Sequence, residues 1–273
     1  MAWLYISLLG TYHVELDGVP LSGFDSNKSR LLLAYLAVES GKPQSREHLG
    51  ELFWPGQPEA SSRRSLSQAL YNLRQLLDKF TIPEVPFLIS DVMTVQLNPA
   101  SRYILDTQEF NKLLQICQAH KHRYLEACPE CLKRLSEAEA LYRGDFLSGL
   151  SLDDSVAFEE WVLVQREHLH RKALVMFKNL AQCHENRSEM EKALEITRRQ
   201  VELDPLWEAG QRRLMRLLAL DGQNSQALAC YESYKKLLQK ELAVPPEKET
   251  GCWQNNYAGK RVAIFQHPIC RQP

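Results

Sequence analysis

The sequence predicts a mainly α protein in two parts, a mixed α+β N-terminal part over residues 1–105 and an all-α part over 106–250. Three observations carry that reading. The first 20 residues alternate in places and break at Gly10 and at Asp17-Gly18, as short antiparallel strands joined by a hairpin turn do. Three helical stretches and a second alternating segment follow. From Asp106 onward the apolar spacing is almost entirely helical, and it recurs.

Ser26 or Asn27 can cap the first helix, KSRLLLAYLAVES, whose leucines and alanines pack inward before Gly41 ends it. Ser45 can cap a second, REHLGELFW, with Glu47 and His48 in its first turn, stopped by Trp54-Pro55-Gly56. The third, SSRRSLSQALYNLRQLLDKF (61–80), places Leu66, Leu70, Leu73 and Leu77 on one stripe. Its remaining surface is Arg63, Arg64, Ser67, Gln68, Tyr71, Asn72, Arg74 and Gln75, without an acid until Asp78. FLISDVMTVQL (87–97) alternates around Asp91 as a hairpin does. Strands, three helices, hairpin is the order of a winged helix-turn-helix with an N-terminal sheet. We place the domain boundary near 98–106, at NPASRYILD.

In the second part Leu180 and Leu214, Ala193 and Ala227, and Leu194 and Leu228 are each 34 residues apart, the period of a tetratricopeptide repeat. Ala181, Ala193 and Pro205 fall 12 apart, at that repeat's small, small and proline positions. Two repeats do not close a core alone, so helices before residue 168 are expected to supply further layers. The tail 251–273 contains no acid and no helical stripe and is left unassigned.

At 273 residues and 44% apolar content the chain is a folded protein of about two domains. No apolar run reaches the roughly 18 residues of a membrane span, and the N-terminus lacks a secretory signal. Seven scattered cysteines are no disulfide framework, and a reducing cytoplasm is expected. The net charge of −1 offers no general attraction to nucleic acid. Residues 60–80, however, carry Arg63, Arg64, Arg74 and Lys79 against Asp78 alone, so any phosphate contact must be focused there.

Residues 1–105 resemble the OmpR-type winged-helix DNA-binding domain, and 106–250 the bacterial transcriptional activator domain of SARP-type regulators. The resemblance rests on the order and spacing of LLLAYLAVESGKPQSREHLGELFWP, SRRSLSQALYNLRQLL, LDTQEFNKLL, AEALYRGDFLSGL, FEEWVLVQREHLHRKAL and the stretch from LDPLWEAGQRRLMRLL to residue 250. It implies a transcription regulator, expected to be an activator, that binds double-stranded DNA. Its third helix enters the major groove, and its helical half serves self-association into a homodimer or contacts with RNA polymerase or another regulatory protein. Carried over, Arg63, Arg64, Ser67, Gln68, Tyr71, Asn72, Arg74 and Gln75 become candidates for phosphate and base contacts. Arginine forks match guanine and phosphate, and Gln and Asn pair with adenine edges. Gln68, Tyr71 and Gln75 lie most nearly opposite the leucine stripe, Arg63 and Arg64 are poised for phosphates or the first bases, and Ser45 can bring helix amides to another phosphate. Many relatives carry Gly-Tyr in the wing where this chain has Met93-Thr94, so no wing contact is carried over. Many continue into an ATPase module. This chain has no G-x-x-x-x-G-K-[ST], and a nucleotide switch is not expected.

Other chemistry is sparse. HKHRYLEACPEC brings His120, His122, Cys128 and Cys131 within 12 residues, types that suit tetrahedral zinc, although paired ligands are usually separated by a longer loop. The plainer reading is a loop histidine pair and a Cys128 that caps the helix starting at Pro129; a thiol redox pair is a third. No cofactor is expected apart from zinc at that cluster. His168 and His170 read as a solvated face, Asp153, Asp154, Glu159 and Glu160 as acids at a helix start, and Trp161 and Trp207 as packing residues. No catalytic constellation emerges, and an enzyme is not expected. The competing reading is a tetratricopeptide-type protein interaction module whose winged helix is a structural platform, favoured by the neutral N-terminal half and by the altered wing at Met93-Thr94. A metal- or thiol-dependent enzyme depends on Cys128 and Cys131 alone.

Overall fold

The computed structural model describes residues 3–78 and 85–251. They form two compact units: one takes in the residues up to His120 with Arg134–Ala173, the other Lys121–Lys133 with those from Leu174 on. Lys79, the end of the 61–80 stretch and the tail beyond 251 lie outside the described residues.

The first unit opens with β1 (Leu4–Ser7), β2 (His13–Leu16) and β3 (Val19–Pro20). Leu4 and Ile6 face Leu16 and Val14 in antiparallel register, and all four are buried. Asp17 and Gly18 both take positive φ, 51° and 76°, as the two central residues of a tight hairpin of this handedness must. α1 (Asn27–Val38) is capped by Ser26, whose Oγ accepts from Ser29 N–H at 3.2 Å. Its run from Leu31 to Ala37 is buried throughout, so this helix sits in the core rather than on it. It ends at Val38, three residues before the expected stop at Gly41, with Glu39 N–H closing on the Tyr35 carbonyl.

β4 (Gln44–Ser45), α2 (Arg46–Phe53), α3 (Glu59–Leu77), β5 (Leu88–Ser90) and β6 (Thr94–Leu97) follow. β4 joins the hairpin to give a three-stranded wing in the order β4-β6-β5. The segment placed at the domain boundary, 98–106, carries β7 (Tyr103–Leu105), which pairs parallel to β1 and completes a sheet ordered β3-β2-β1-β7. α4 (Asp106–Ala119) starts directly from it. Asp106, fully buried, accepts from the amides of Leu8 and Leu9 at 2.8 and 2.9 Å and from Ser7 Oγ at 3.0 Å, which ties the start of α4 to the end of β1.

Beyond α4 come a 3₁₀ turn (Leu125–Ala127), α5 (Pro129–Leu141) and α6 (Val156–Asn186). Within the first unit Trp161 of α6 is a packing hub, as expected: its ring lies 4.8 Å from Tyr35, 5.4 Å from Phe158 and 5.7 Å from Phe146, centroid to centroid, and its Nε1 donates to Glu39 at 3.0 Å. The acids read as a helix start divide: Glu159 accepts from Leu152 N–H, Asp154 pairs with Lys28.

The second unit contains the repeat. The end of α6 with α7 (Met190–Leu203) is one helical pair, and α8 (Glu208–Leu220) with α9 (Asn224–Glu241) is the next. Leu180, Leu214, Ala193, Ala227 and Leu194 are buried. The turns repeat too. Ser188 (φ 58°) and Gly222 (φ 79°) are the left-handed residues. Glu189 N–H bonds to the His184 carbonyl as Gln223 N–H bonds to that of Leu218, at 3.0 and 2.8 Å. Trp207 packs on Gly210, where a Cβ would meet its ring at 2.6 Å. No helix among the described residues is long and apolar enough to cross a membrane.

Candidate nucleic-acid interface

The interface builds on α2, a turn and α3. Gly50 lets the two helices approach: a Cβ there would sit 3.1 Å from Ser62 Oγ. Gly56 makes the turn with φ 74°, and Pro58 starts α3 by accepting from Ser61 and Ser62 N–H at 2.8 and 3.0 Å, two residues before the expected start. Leu66, Leu70, Leu73 and Leu77 are all at or below 1% exposure, joined by Ala69 and Leu76, so the stripe is consumed by the core. The opposite face must then meet solvent or a ligand.

On that face Arg63, Arg64, Ser67, Gln68, Tyr71 and Gln75 are exposed, Tyr71 by 57%. Asn72 and Arg74 are half-buried and turned to neighbours: Asn72 donates to Asp25 at 2.7 Å, Arg74 to the Ser90 hydroxyl on β5. Gln68 donates to Asn72 at 2.9 Å, which holds its amide along the helix. Arg63 pairs with Glu59 one turn earlier at 2.7 Å, so part of its charge is offset locally. Among the described residues Arg64 makes no ion pair; it borders a concave surface shared with Lys28 and Gln68.

Ser45 Oγ caps α2, accepting from His48 N–H at 3.4 Å, and Arg46 N–H is taken by the Met93 carbonyl. Two of the amides available for a phosphate at that helix start are thus already bonded. Arg46, absent from the sequence reading, reaches across to α3 and donates to Ser67 Oγ at 2.8 Å. Its signal was only positional, the first residue after a cap in the helix preceding α3. The wing tip exposes Val92 and Met93, by 89% and 63%. Asp91 folds it, accepting from Met93 N–H at 2.7 Å and Thr94 N–H at 2.6 Å, and the bond from Thr94 N–H holds its carboxyl below the usual range. That negative charge makes the tip a poor neighbour for phosphate.

Away from this face, the ligand atoms of His120, His122, Cys128 and Cys131 all lie within 4.8 Å of one another. Cys131 is buried and the other three half-buried. The amide of Cys131 bonds the Cys128 sulfur and lowers that thiol's pKa. His168 is exposed, its pKa lowered by burial of part of the ring, and His170 lies 3.8 Å from Asp145.

A winged helix-turn-helix followed by tetratricopeptide-like helices, with a polar helix face turned outward, defines the architecture of a SARP-type regulator. Residues 105–255, more than half the chain, match the family model described as "Bacterial transcriptional activator domain". The chain belongs to that family. Among solved structures it is similar to "Mycobacterium tuberculosis EmbR in complex with low affinity phosphopeptide", with a TM-score of 0.67 at 19% identity over 94% of this chain and 65% of that one. That likeness concerns the fold, and the chain spans about two thirds of EmbR's length. No curated protein sequence matches.

Proposed function

We propose that the chain is a sequence-specific DNA-binding transcriptional activator and not an enzyme. Residues 1–105 form its DNA-binding part and 106–250 its helical part for self-association or contacts with the transcription machinery. The observation that carries the reading is the division of α3: every leucine of the stripe is buried, while Arg63, Arg64, Ser67, Gln68, Tyr71 and Gln75 stand outward on a helix preceded by a helix and a turn. Arg64, Arg46 and, in part, Arg63 supply phosphate contacts, Gln68, Tyr71 and Gln75 face the bases, and Asn72 and Arg74 brace the helix against Asp25 and Ser90. Membership of the activator-domain family supports the same reading. A cytoplasmic location goes with it.

The interaction-module reading draws on Glu59, which offsets Arg63, and on the acid at the wing tip. A gel shift of the full chain against the DNA upstream of its own coding region, titrated with salt, separates the two. A retarded complex at low salt that survives unlabelled random competitor supports DNA reading, and its absence supports the module.

A further inference from the structure

We propose that His120, His122, Cys128 and Cys131 form a structural zinc site. The four side chains come from one continuous stretch of chain, and their ligand atoms fall within 4.8 Å of one another. Zinc–sulfur and zinc–nitrogen bonds of about 2.3 and 2.0–2.1 Å put tetrahedral S and N ligands about 3.6 Å apart. Cys131 Sγ and His122 Nδ1 lie 3.8 Å apart, close to that separation before any metal draws them in. The short spacing between the histidine and cysteine pairs, which in the sequence argues against zinc, is closed by the 3₁₀ turn Leu125–Ala127. Ala127 N–H bonds to the Tyr124 carbonyl and Cys128 N–H to that of Leu125, at 3.3 and 3.0 Å, so the chain doubles back on itself before α5 begins.

The donor set selects the metal. Two thiolates and two imidazoles are soft and borderline ligands, which suit zinc and disfavour magnesium and calcium. Four protein ligands leave no open position for water or substrate, so the ion is structural and not catalytic. Cys128 stands just before the first residue of α5 and Cys131 in its first turn. The site therefore fixes where α5 starts and locks the loop that precedes it. This inference is independent of the DNA-binding reading.

The test uses the full chain, purified in reducing buffer without chelator. Elemental analysis should find roughly one zinc per chain. Replacement by Co²⁺ should give tetrahedral d–d bands and a thiolate-to-cobalt charge-transfer band. The Cys128→Ser, Cys131→Ser double variant, checked for retained helix by circular dichroism, should hold less than about a tenth of the parent's zinc. The parent's cobalt spectrum decides the matter even where the variant does not fold. Parent protein without stoichiometric zinc and without a thiolate–cobalt band overturns the proposal. So does a Cys128–Cys131 disulfide in the reduced preparation, or zinc retained in full by the folded double variant.

Discussion

Replacing Asp106 by Ala removes the acceptor shared by the last residue of β1 and the two residues after it. Its carboxylate takes the N–H groups of Leu8 and Leu9 and the hydroxyl of Ser7, and all four residues are fully buried. The serine hydroxyl can rotate to another acceptor, but the two amides cannot. Each buried donor left unsatisfied costs about 1–3 kcal/mol, so the two amides together lose about 2–6 kcal/mol. Part is returned, because burial pushes the Asp106 carboxyl above the usual range against the pull of these donors and of Arg143, so the native carboxylate itself carries a desolvation cost. The net expectation is about 2–4 kcal/mol. A chain of two compact units need not unfold in one step, which makes local hydrogen exchange the right assay. The Leu8 and Leu9 amides should exchange roughly 30- to 1000-fold faster in Asp106→Ala. Rates within about threefold of the parent would refute the clamp. The pH dependence has a definite sign. A raised folded pKa means that the native state binds this proton more readily. Asp106's contribution is then most favourable in acid and falls as pH rises from the unfolded carboxyl value through the raised one. Asp106→Asn should abolish that slope.

Three further outcomes follow from local geometry. Gly210→Ala gains up to about 1 kcal/mol of helix propensity but drives a Cβ to 2.6 Å from the Trp207 ring, so a net loss of about 1–2 kcal/mol is expected in the hydrogen exchange of the amides of the second unit; equal or greater stability would show that the ring moves freely. Glu185→Ala leaves Arg213, whose side chain is 14% exposed, without its anion at 3.4 Å, and should cost roughly 2–3 kcal/mol in the same assay, whereas a neutral result would mean that the Lys178 carbonyl and the Gln182 side chain, which also accept from Arg213, suffice to hold the cation. The Asp91 carboxyl is held low, chiefly by Thr94 N–H, so the wing turn keeps its support above the unfolded carboxyl value of about 3.9 and loses it only as pH falls through the depressed folded one. The Met93 and Thr94 amide resonances should therefore titrate below the usual carboxyl range, and titration at the ordinary value would contradict the bonding.

Periodic features were legible in the sequence. The leucine stripe of α3 needs only a 3.6-residue period, and the repeat showed in Leu180/Leu214 and Ala193/Ala227 because equivalent packing positions demand equivalent sizes. Ser26, Ser45 and Asp17-Gly18 were readable because caps and tight turns are local chemistry. What escaped was long-range or brief. β4 and β7 are two and three residues long, too short for alternation to register. The Asp106 clamp joins residues 98 positions apart, and the Trp161–Glu39 bond joins residues 122 apart, separations that no local pattern encodes. At the candidate interface, residue type marked eight side chains on α3, but only packing separates the outward Arg64 and Gln68 from Asn72 and Arg74, and brings in Arg46 from the preceding helix.

The most direct measurement of the central claim is the salt dependence of DNA affinity for the parent and for Arg63→Ala, Arg64→Ala. Each lost phosphate contact lowers the slope of log K against log salt by about 0.9, so loss of both lowers it by up to about 1.8. Between 50 and 200 mM salt that corresponds to an approximately twelvefold change in the ratio of parent to variant affinity. Arg64→Ala alone should lower the slope by about 0.9 and Arg63→Ala by less, because Glu59 already offsets Arg63. A double variant that binds with the parent's affinity and slope would contradict the assignment of α3 as the helix that meets DNA.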